Sequence, residues 1–190
     1  MQDPYCYLNS RTLRNKLDIQ DFDKLYDRER DLANLRAREL FENPIIGKFD
    51  FNHLKSIHRY LFQDIYDWAG EVRTVDIAKG NLFCRAFAIE PEADRIFSEL
   101  KKEHYLQNLP VASFGKRLAY YFSEINALHP FREGNGRTQR EFIRQLALQN
   151  SYFLSFVGIK DKEMINASKA SSNLDYTPME NIILEHLRPL

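Results

Sequence analysis

Residues 125–142, INALHPFREGNGRTQREF, contain a charged loop between two predicted helices. Pro130 cannot continue the helix before it, so the chain breaks just after His129 and re-enters a helix near Gly136. The two glycines that flank Asn135 allow backbone conformations in which several N–H groups point into one concavity. The positive end of the following helix dipole lies at the same place. This stretch therefore predicts an anion site, suited to phosphate, at the start of a helix.

Side chains around this loop supply groups that nucleotide chemistry needs. Arg137 and Arg140 lie three residues apart on the new helix and so share a face near its first turn, within reach of further phosphates. Glu133 is a carboxylate among cationic groups, and beside phosphates it suits a bound Mg²⁺. His129 can take a proton near neutral pH. The chain lacks GxxxxGK[ST], and no strand precedes GNG, so neither a P-loop nor a dinucleotide fingerprint is present.

Other polar residues are assigned ordinary roles. Four further histidines are expected to be helix caps or core groups: His53, His58, His104 and His186. Three residues downstream of the loop could line an adenine pocket, although core or surface roles are favoured for them: Gln145, Gln149 and Tyr152. The candidate site is therefore centred on residues 129–140.

Outside the loop, the spacing of apolar residues is mostly helical. Helices are predicted over Asp21–Glu42, from Asp50 to near Gly70, from Pro91 onward, and over Phe114–Leu128, Arg137–Asn150, Asp161–Lys169 and Pro178–Leu187. The strongest core stripe belongs to the fourth of these: Phe114, Leu118, Tyr121, Phe122, Ile125 and Leu128. On the first helix, the inward positions are expected to be Phe22, Leu25, Leu32 and Leu35.

One stretch does not have a helical pattern: residues 72–89, VRTVDIAKGNLFCRAFAI. Val75 and Ile77 alternate with polar neighbours, Lys79-Gly80-Asn81 is typical of a turn, and an apolar run follows. This pattern predicts a short β-hairpin. The fold class is therefore all-α, a helical bundle with one hairpin attached.

The composition indicates one domain over residues 1–190, because 190 residues can bury one sizeable core. The 27 basic residues equal the 27 acidic ones, so neither a nucleic acid nor a membrane is expected as a direct partner. Only two cysteines occur, and no segment has the pattern of a signal peptide or a membrane span. We expect a bacterial cytoplasmic protein, although a secreted effector would have the same composition.

The motif at residues 129–140 resembles the Fic family pattern, H-x-F-x-[DE]-G-N-G-R-x-x-R. Every fixed position is filled: His129, Phe131, Glu133, Gly134, Asn135, Gly136, Arg137 and Arg140. The stretch YDWAGEVRTVDIAKG, residues 66–80, is similar to the family's flap region, which here comprises residues 72–89. The likeness extends over most of the chain and is strongest to short bacterial cell filamentation proteins. It implies a Fic-fold bundle in which the hairpin is the flap.

The resemblance implies transfer of AMP from ATP to a Tyr, Thr or Ser hydroxyl of a target protein. His129 is then the catalytic base and Glu133 holds Mg²⁺. The nucleotide is held by Asn135, by the Gly134–Gly136 backbone, and by Arg137 and Arg140 at the β- and γ-phosphates. Two further roles are implied outside the phosphate site. Phe131 fixes the loop in the core, and Val75 and Ile77 are candidates for clamping a target segment docked at the hairpin edge.

Alternative functions remain open within and beyond the family. Related kinases carry lysine where this chain has Gly136, so glycine favours AMP transfer, whereas a phosphocholine transferase uses a nearly identical motif. Two hypotheses come from other functional classes: a nucleotide-binding regulator that does not transfer AMP, and a helical protein-interaction module. The intact His129 argues against the first of these, and the conjunction of acidic, amide and arginine groups argues against the second.

Many Fic proteins carry an inhibitory helix with the pattern [ST]-x-x-x-E-[GN]. Neither Glu42-Asn43 nor Glu180-Asn181 fits it, because Arg38 and Tyr176 stand four residues before the two glutamates. The expectation is therefore a separate antitoxin-like partner whose glutamate reaches Arg140, as in a toxin–antitoxin pair, or a chain that is not inhibited in this way.

Overall fold

The computed structural model describes residues 2–79 and 81–190, and its architecture is a helical bundle. The helices are α1 (Phe22–Glu42), α2 (Phe51–Phe62), α3 (Ile89–Lys102), α4 (Val111–Leu128), α5 (Asn135–Gln149), α6 (Asp161–Ser171) and α7 (Thr177–His186). The strands are β1 (Ala78–Lys79), β2 (Asn81–Leu82), β3 (Tyr152–Leu154) and β4 (Leu187–Pro189). Short 3₁₀ turns occur at Ala86–Ala88 and His104–Leu106. The mainly helical class with one antiparallel flap hairpin is confirmed.

Helix α4 forms the centre of the bundle. It packs against α3, α5, α6 and α7, while α2 packs between α1 and α5. The whole predicted stripe of α4, from Phe114 to Leu128, is buried. Gly115 lets α7 approach α4, because a Cβ atom at this position would lie 2.3 Å from Leu184 Cδ2. The buried face of α4 therefore fixes the end of the helix from which the 129–134 loop starts.

The starts of α1 and α2 follow the expected capping chemistry. The side chain of Asp21 accepts a hydrogen bond from the main-chain N–H of Lys24, and that of Asp50 accepts one from His53. Helix α2 ends at Phe62 rather than near Gly70, and α3 begins at Ile89, two residues before Pro91. The predicted elements are therefore present, with shifted ends.

The expected inward face of α1 is partly wrong. Phe22 and Leu35 are exposed, and the buried positions are Leu25, Glu29, Ala33 and Leu40. The guanidinium of Arg11 covers the ring of Phe22, with 4.0 Å from Cζ to the ring centroid. A glutamate replaces an apolar residue on the buried face because it has a cationic partner, Arg137.

The flap hairpin is shorter than predicted. Its strands pair Ala78 with Leu82 and Lys79 with Asn81, so Val75 and Ile77 lie before the first strand. The predicted turn residue Gly80 lies outside the described residues. The end of the predicted segment belongs to the 3₁₀ turn and the start of α3. The flap therefore consists of a short two-stranded ladder with an irregular segment on each side, residues 72–77 before it and residues 83–85 after it. We call these two segments the arms of the flap.

The structure also contains a second small sheet, which the sequence pattern does not predict. Strand β3 pairs antiparallel with β4, with Phe153 opposite Arg188. The last predicted helix therefore stops at His186, and Leu187 begins a strand. None of the helices in the described ranges is both long and apolar enough to cross a membrane.

Candidate active site

The loop between α4 and α5 has an unusual backbone at each end. His129 caps α4 in the left-handed region, with φ 45° and ψ 59°, and its N–H donates to Ile125 O at 3.1 Å. Gly134 caps α5 with φ 80° and ψ 3°. Pro130 between them has no N–H with which to continue α4. The chain therefore reverses within six residues, and the start of α5 faces the end of α4.

Buried polar contacts hold this loop in one conformation. Phe131 is 1% exposed, and the side-chain amide of Asn135 binds its main chain in both directions. The Phe131 N–H donates to Asn135 Oδ1 at 2.9 Å, and Asn135 Nδ2 donates to Phe131 O at 2.7 Å. The predicted role of Phe131 as an anchor agrees with this burial. The side chain of Asn135 is occupied by the loop itself.

His58 supports the loop from helix α2. Its Nδ1 accepts from the Gly70 N–H at 2.7 Å, so Nε2 carries the proton that is donated to Glu133 O at 3.0 Å. The ring stacks on Phe131, with 3.8 Å between centroids. Burial lowers the pKa of His58 to about 3, so this group is neutral. The prediction of a core histidine holds for His58, and it contacts the motif directly.

Contacts with Asn126 and Phe83 help to orient the imidazole of His129. Its Nδ1 lies 3.1 Å from Asn126 O, a carbonyl that can only accept, so Nδ1 carries the proton in the neutral ring. The basic lone pair then belongs to Nε2. The ring stacks on Phe83 of the flap, with 3.7 Å between centroids and 13° between planes. His129 therefore has the tautomer that a general base requires.

A cavity of about 430 Å³ opens beside the motif. It is lined from the motif by His129, Glu133, Asn135, Gly136, Gln139 and Arg140. The flap supplies Leu82 and Phe83, and the α6 side supplies Asp161, Met164, Ile165 and Ser168. This volume is within the range of small-ligand pockets. The structure thus brings the proposed base, metal ligand and second arginine to one cavity.

The two motif arginines have different surroundings. Arg137 forms an ion pair with Glu29 of α1 and lies over the Phe62 ring at 4.7 Å, and it does not line the cavity. Tyr66 donates to the other carboxylate oxygen of Glu29. Arg140 lines the cavity and makes no ion pair or hydrogen bond within residues 2–79 and 81–190. Burial lowers the pKa of Arg140 and Arg137 adds to that effect, while the charge of Asp161 on the cavity wall opposes it. Within the described ranges, Arg140 is therefore a cation at the cavity without an ion-pair partner.

Glu133 has one carboxylate oxygen bound by its own loop. Oε1 accepts from the Gly134 N–H at 2.9 Å, while Oε2 has no hydrogen bond in the part of the chain that the structure describes. No cluster of three or more acidic, histidine or cysteine residues that could hold a metal occurs among the described residues. Mg²⁺ commonly binds one or two carboxylates together with phosphates and water. A single glutamate at a phosphate cavity fits that mode.

The candidates for an adenine pocket lie elsewhere. Gln145 donates to Glu141, and the ring of Tyr152 stacks on Phe114. Gln149 lines a separate hollow at the far end of α5. None of the three lines the cavity beside the motif, in agreement with their favoured core or surface roles. The apolar side chains that line that cavity include Met164 and Ile165 of α6 and Leu82 and Phe83 of the flap.

Three important residues were not identified from the sequence. Glu29 engages Arg137, Phe83 stacks on the base, and Arg73 donates to the carbonyl of His129 at 2.8 Å. Glu29 lies four residues from both Leu25 and Ala33, on the buried face of α1. Helical periodicity could therefore have identified it as a buried position. The other two lie in irregular chain, where no periodicity marks them.

These features define a class of protein: a helical domain with a cavity at a helix start, lined by a histidine, a glutamate and an arginine, and a hairpin beside it. The family is equally clear, because the Fic/DOC family model matches residues 48–147, and the chain belongs to that family. It is 40% identical to the "Probable protein adenylyltransferase Fic" of Escherichia coli strain K12, over 95% of this chain and 90% of that protein.

Other relatives extend the comparison. The chain is 44% identical to "Protein adenylyltransferase VbhT" of Bartonella schoenbuchensis over 87% of its own length, but this match spans only 35% of VbhT. Among solved structures, the N-terminal Fic domain of a VirB-translocated Bep effector protein from Bartonella quintana, with bound ADP, superposes with a TM-score of 0.93. It is 30% identical, with 97% of this chain and 94% of that chain covered. BepC from Bartonella tribocorum, with bound AMPPNP, has a TM-score of 0.92 at 26% identity, covering 98% and 97%.

Proposed function

We propose that this chain is a protein adenylyltransferase, which moves AMP from ATP to a hydroxyl side chain of another protein. The observation that carries the proposal is the cavity shared by His129, Glu133 and Arg140 at the start of α5. Relatives named as protein adenylyltransferases, at 38–44% identity, support the reaction. The ADP and AMPPNP bound to similar Fic domains support ATP as the nucleotide.

The phosphates of ATP bind at the N-terminus of α5. Main-chain N–H groups of its first turn and the positive end of the helix dipole attract them, and Arg140 adds a full charge. Gly136 places no side chain at this turn, and a Cβ there would make an ordinary contact, 3.4 Å from Arg140 Nη1. The side chain of Asn135 shapes this turn, so its contact with phosphate comes through the main chain. Arg137 is ion-paired with Glu29 and does not line the cavity, so direct contact with phosphate is assigned to Arg140.

Glu133 is the proposed ligand of Mg²⁺, through the carboxylate oxygen that the loop leaves without a hydrogen bond. When bound, Mg²⁺ would supply positive charge that offsets the charge of the phosphates. The loop fixes Glu133 at two points: its carboxylate by the Gly134 N–H and its carbonyl by His58. The carboxylate is therefore oriented before the ligand arrives.

Transfer is a displacement at the α-phosphorus. The target hydroxyl loses its proton to His129 Nε2 while its oxygen forms a bond to the α-phosphorus. The bond from that phosphorus to the bridging oxygen breaks, and pyrophosphate leaves with the electron pair. The imidazolium that results is stabilised by Asn126 O, which accepts from Nδ1 at 3.1 Å. Arg140 and the α5 N-terminus offset the negative charge of the leaving group.

The target segment docks at the flap, beside the base. The two-stranded ladder would offer main-chain groups to an extended segment at its edge. Val75 and Ile77, which are half-buried on the first arm, remain the proposed clamping residues. The acceptor hydroxyl would then lie near the His129 ring, which stacks on Phe83 of the same flap.

A separate inhibitor with a glutamate directed at Arg140 is the proposed means of restraint, as in a toxin–antitoxin pair. Arg140 has no carboxylate ion pair within the described ranges, whereas Arg137 is already paired. Folding in the bacterial cytoplasm is part of the same proposal, and the likeness to Bartonella effectors supports delivery into another cell as the alternative. The inhibitor proposal fails if AMP transfer is unchanged by every small protein encoded beside this chain.

The experiment uses ATP labelled on the α-phosphate, Mg²⁺ and a bacterial lysate. Label should appear on protein with the wild type and fall at least about a hundredfold with His129→Ala. His186→Ala is the matched control, because its Nδ1 also binds a carbonyl of the preceding helical turn, Ile182 O at 2.9 Å, away from the cavity. Label that persists in His129→Ala would overturn the assignment of the base.

Two further labels separate the alternatives. Protein label from ATP labelled on the γ-phosphate would indicate a kinase, and label from CDP-choline would indicate a phosphocholine transferase. ATP binding without any protein label would indicate a regulator. A helical interaction module would bind no ATP. Each of these results would contradict AMP transfer.

A further inference from the structure

Arg73 is a buried arginine without an ion pair. It is 2% exposed, and within the described residues no carboxylate lies within ion-pair distance of its guanidinium. Three main-chain carbonyls surround it instead: Nε donates to His129 O at 2.8 Å, Nη1 to Val75 O at 2.6 Å and Nη2 to Cys84 O at 2.5 Å. Burial lowers the pKa of Arg73, as expected for a charged group held away from water.

Stability alone does not explain a buried arginine at this position. A buried charge is destabilising unless hydrogen bonds replace its hydration, and an apolar side chain would fill the same space without that cost. Asp76, the acidic neighbour in sequence, binds Arg85 and the Ala86 N–H instead. Arginine has one property that an apolar residue lacks, since its planar group donates to several fixed acceptors at once.

The three acceptors belong to three different parts of the site. Val75 lies on the arm that enters the flap, Cys84 on the arm that leaves it, and His129 carries the proposed base. The main chain repeats the link, because the Arg73 N–H donates to Pro130 O at 2.9 Å and the Cys84 N–H donates to Ala127 O at 3.1 Å. Arg73 therefore joins both arms of the flap to the end of α4.

We propose that Arg73 is a positioning residue for AMP transfer, which holds the flap in register with His129 so that a docked hydroxyl meets the imidazole. The proposal rests on the proposed function. His129 is in the left-handed region, where its backbone has little intrinsic preference to stay, and its carbonyl is fixed by Arg73. A misplacement of about 1 Å between reacting groups costs about a hundredfold in rate.

Kinetics of Arg73→Gln and Arg73→Lys test the proposal. ATP affinity should stay within about threefold in both, because the phosphate site belongs to the motif and not to the flap. In Arg73→Gln, kcat for transfer per folded molecule should fall about 30- to 100-fold. Arg73→Lys should recover part of this, because an ammonium group still donates hydrogen bonds but cannot span all three carbonyls.

Arg144→Gln is the matched control. Arg144 is also largely buried and donates to a main-chain carbonyl, Leu40 O at 3.1 Å, but it does not line the cavity or contact the flap. Its loss should lower stability and leave kcat per folded molecule within about twofold. A purely structural Arg73 would behave in the same way, and that result would overturn the proposal.

Hydrogen exchange separates this proposal from the proposed function. In Arg73→Gln, exchange of the Phe83 and Cys84 amides should accelerate at least about tenfold, while the Thr138 amide of α5 is unchanged. This readout needs no activity. Absence of AMP transfer by the wild type would refute the proposed function only, whereas unchanged exchange at Cys84 would refute the role of Arg73 in an active enzyme. If Arg73→Gln does not fold, Arg73→Lys provides the same comparison.

Discussion

Replacement of Gly134 by alanine should destabilise the protein for two separable reasons. Gly134 has φ 80°, a region that costs an L-residue roughly 1–2 kcal/mol. In addition, a Cβ atom would lie 2.3 Å from both Cε2 and Cζ of Phe62. Phe62 is fully buried and also lies under Arg137, so its ring cannot simply move away.

The chain contains a control that isolates the first cost. Gly158 has φ 89°, yet a Cβ atom there would have nothing within 4 Å. Restriction of the unfolded chain by alanine returns about 0.4–1 kcal/mol, so Gly158→Ala should cost about 1 kcal/mol. Gly134→Ala adds an overpacking cost of about 1–3 kcal/mol, for a total of about 2–4 kcal/mol. That is a large fraction of the roughly 5–15 kcal/mol that stabilises a typical domain.

Denaturant unfolding of the two variants and the wild type measures both costs. A chain of this length loses about 2–4 °C in Tm per kcal/mol, so Gly134→Ala should melt about 5–15 °C lower and Gly158→Ala about 3 °C lower. ATP affinity should fall only in Gly134→Ala, because Gly158 does not line the motif cavity. Equal losses of stability in the two variants would refute the argument from the Phe62 contact.

Two further predictions concern charge. Burial lowers the pKa of His58 to about 3, whereas unfolded histidine titrates near 6.5, so stability is complete above about pH 6.5 and is lost as pH falls toward 3. From pH 7 to pH 5 the loss due to His58 should be about 2 kcal/mol in nucleotide-free protein, measured by urea unfolding, and His58→Gln should remove that part of the profile. Burial also lowers the pKa of His53, so some pH dependence remains in this variant. Arg140→Gln should weaken ATP binding about tenfold or more with little change in stability, whereas Arg137→Gln should cost about 1–3 kcal/mol because Glu29 is left buried and unpaired. Calorimetric titration and thermal melting compare the two, and similar profiles for both variants would contradict the division of roles.

The loop and the α4 stripe were predictable because their causes are local. Pro130 ends α4, and the glycines admit the start of α5, whatever the rest of the chain does. The partner of Arg137 was not predictable in the same way. Spacing places Arg137 and Arg140 on one face of α5, but the partner Glu29 lies 108 residues away in sequence. A charged residue is normally assigned to the surface, so the pattern of α1 predicts Phe22 and Leu35 as inward positions and does not predict Glu29.

The small sheets show the same limit. Strand β3 finds its partner more than thirty residues later, and three-residue strands have too little alternation to be recognised. In the flap, alternation at Val75 and Ile77 suggested a strand, yet the carbonyl of Val75 is bound to the side chain of Arg73 and not to a neighbouring strand. A hydrophobicity pattern does not identify a buried arginine, because arginine is usually exposed.

The pairing of Arg137 with Glu29 bears on how an external inhibitor could act. A glutamate directed at Arg137 would have to displace a carboxylate that is 9% exposed and also hydrogen-bonded by Tyr66. Displacement would leave Glu29 buried without its cation, which is costly. Arg140 presents no such competitor within the described ranges, and it lines the cavity where a phosphate of ATP would bind. A carboxylate of the proposed inhibitor would displace no ion-paired side chain at Arg140 within the described ranges, where the charge of Asp161 on the same cavity also acts on this arginine. These contacts support our proposal that such an inhibitor acts at the second arginine of the motif.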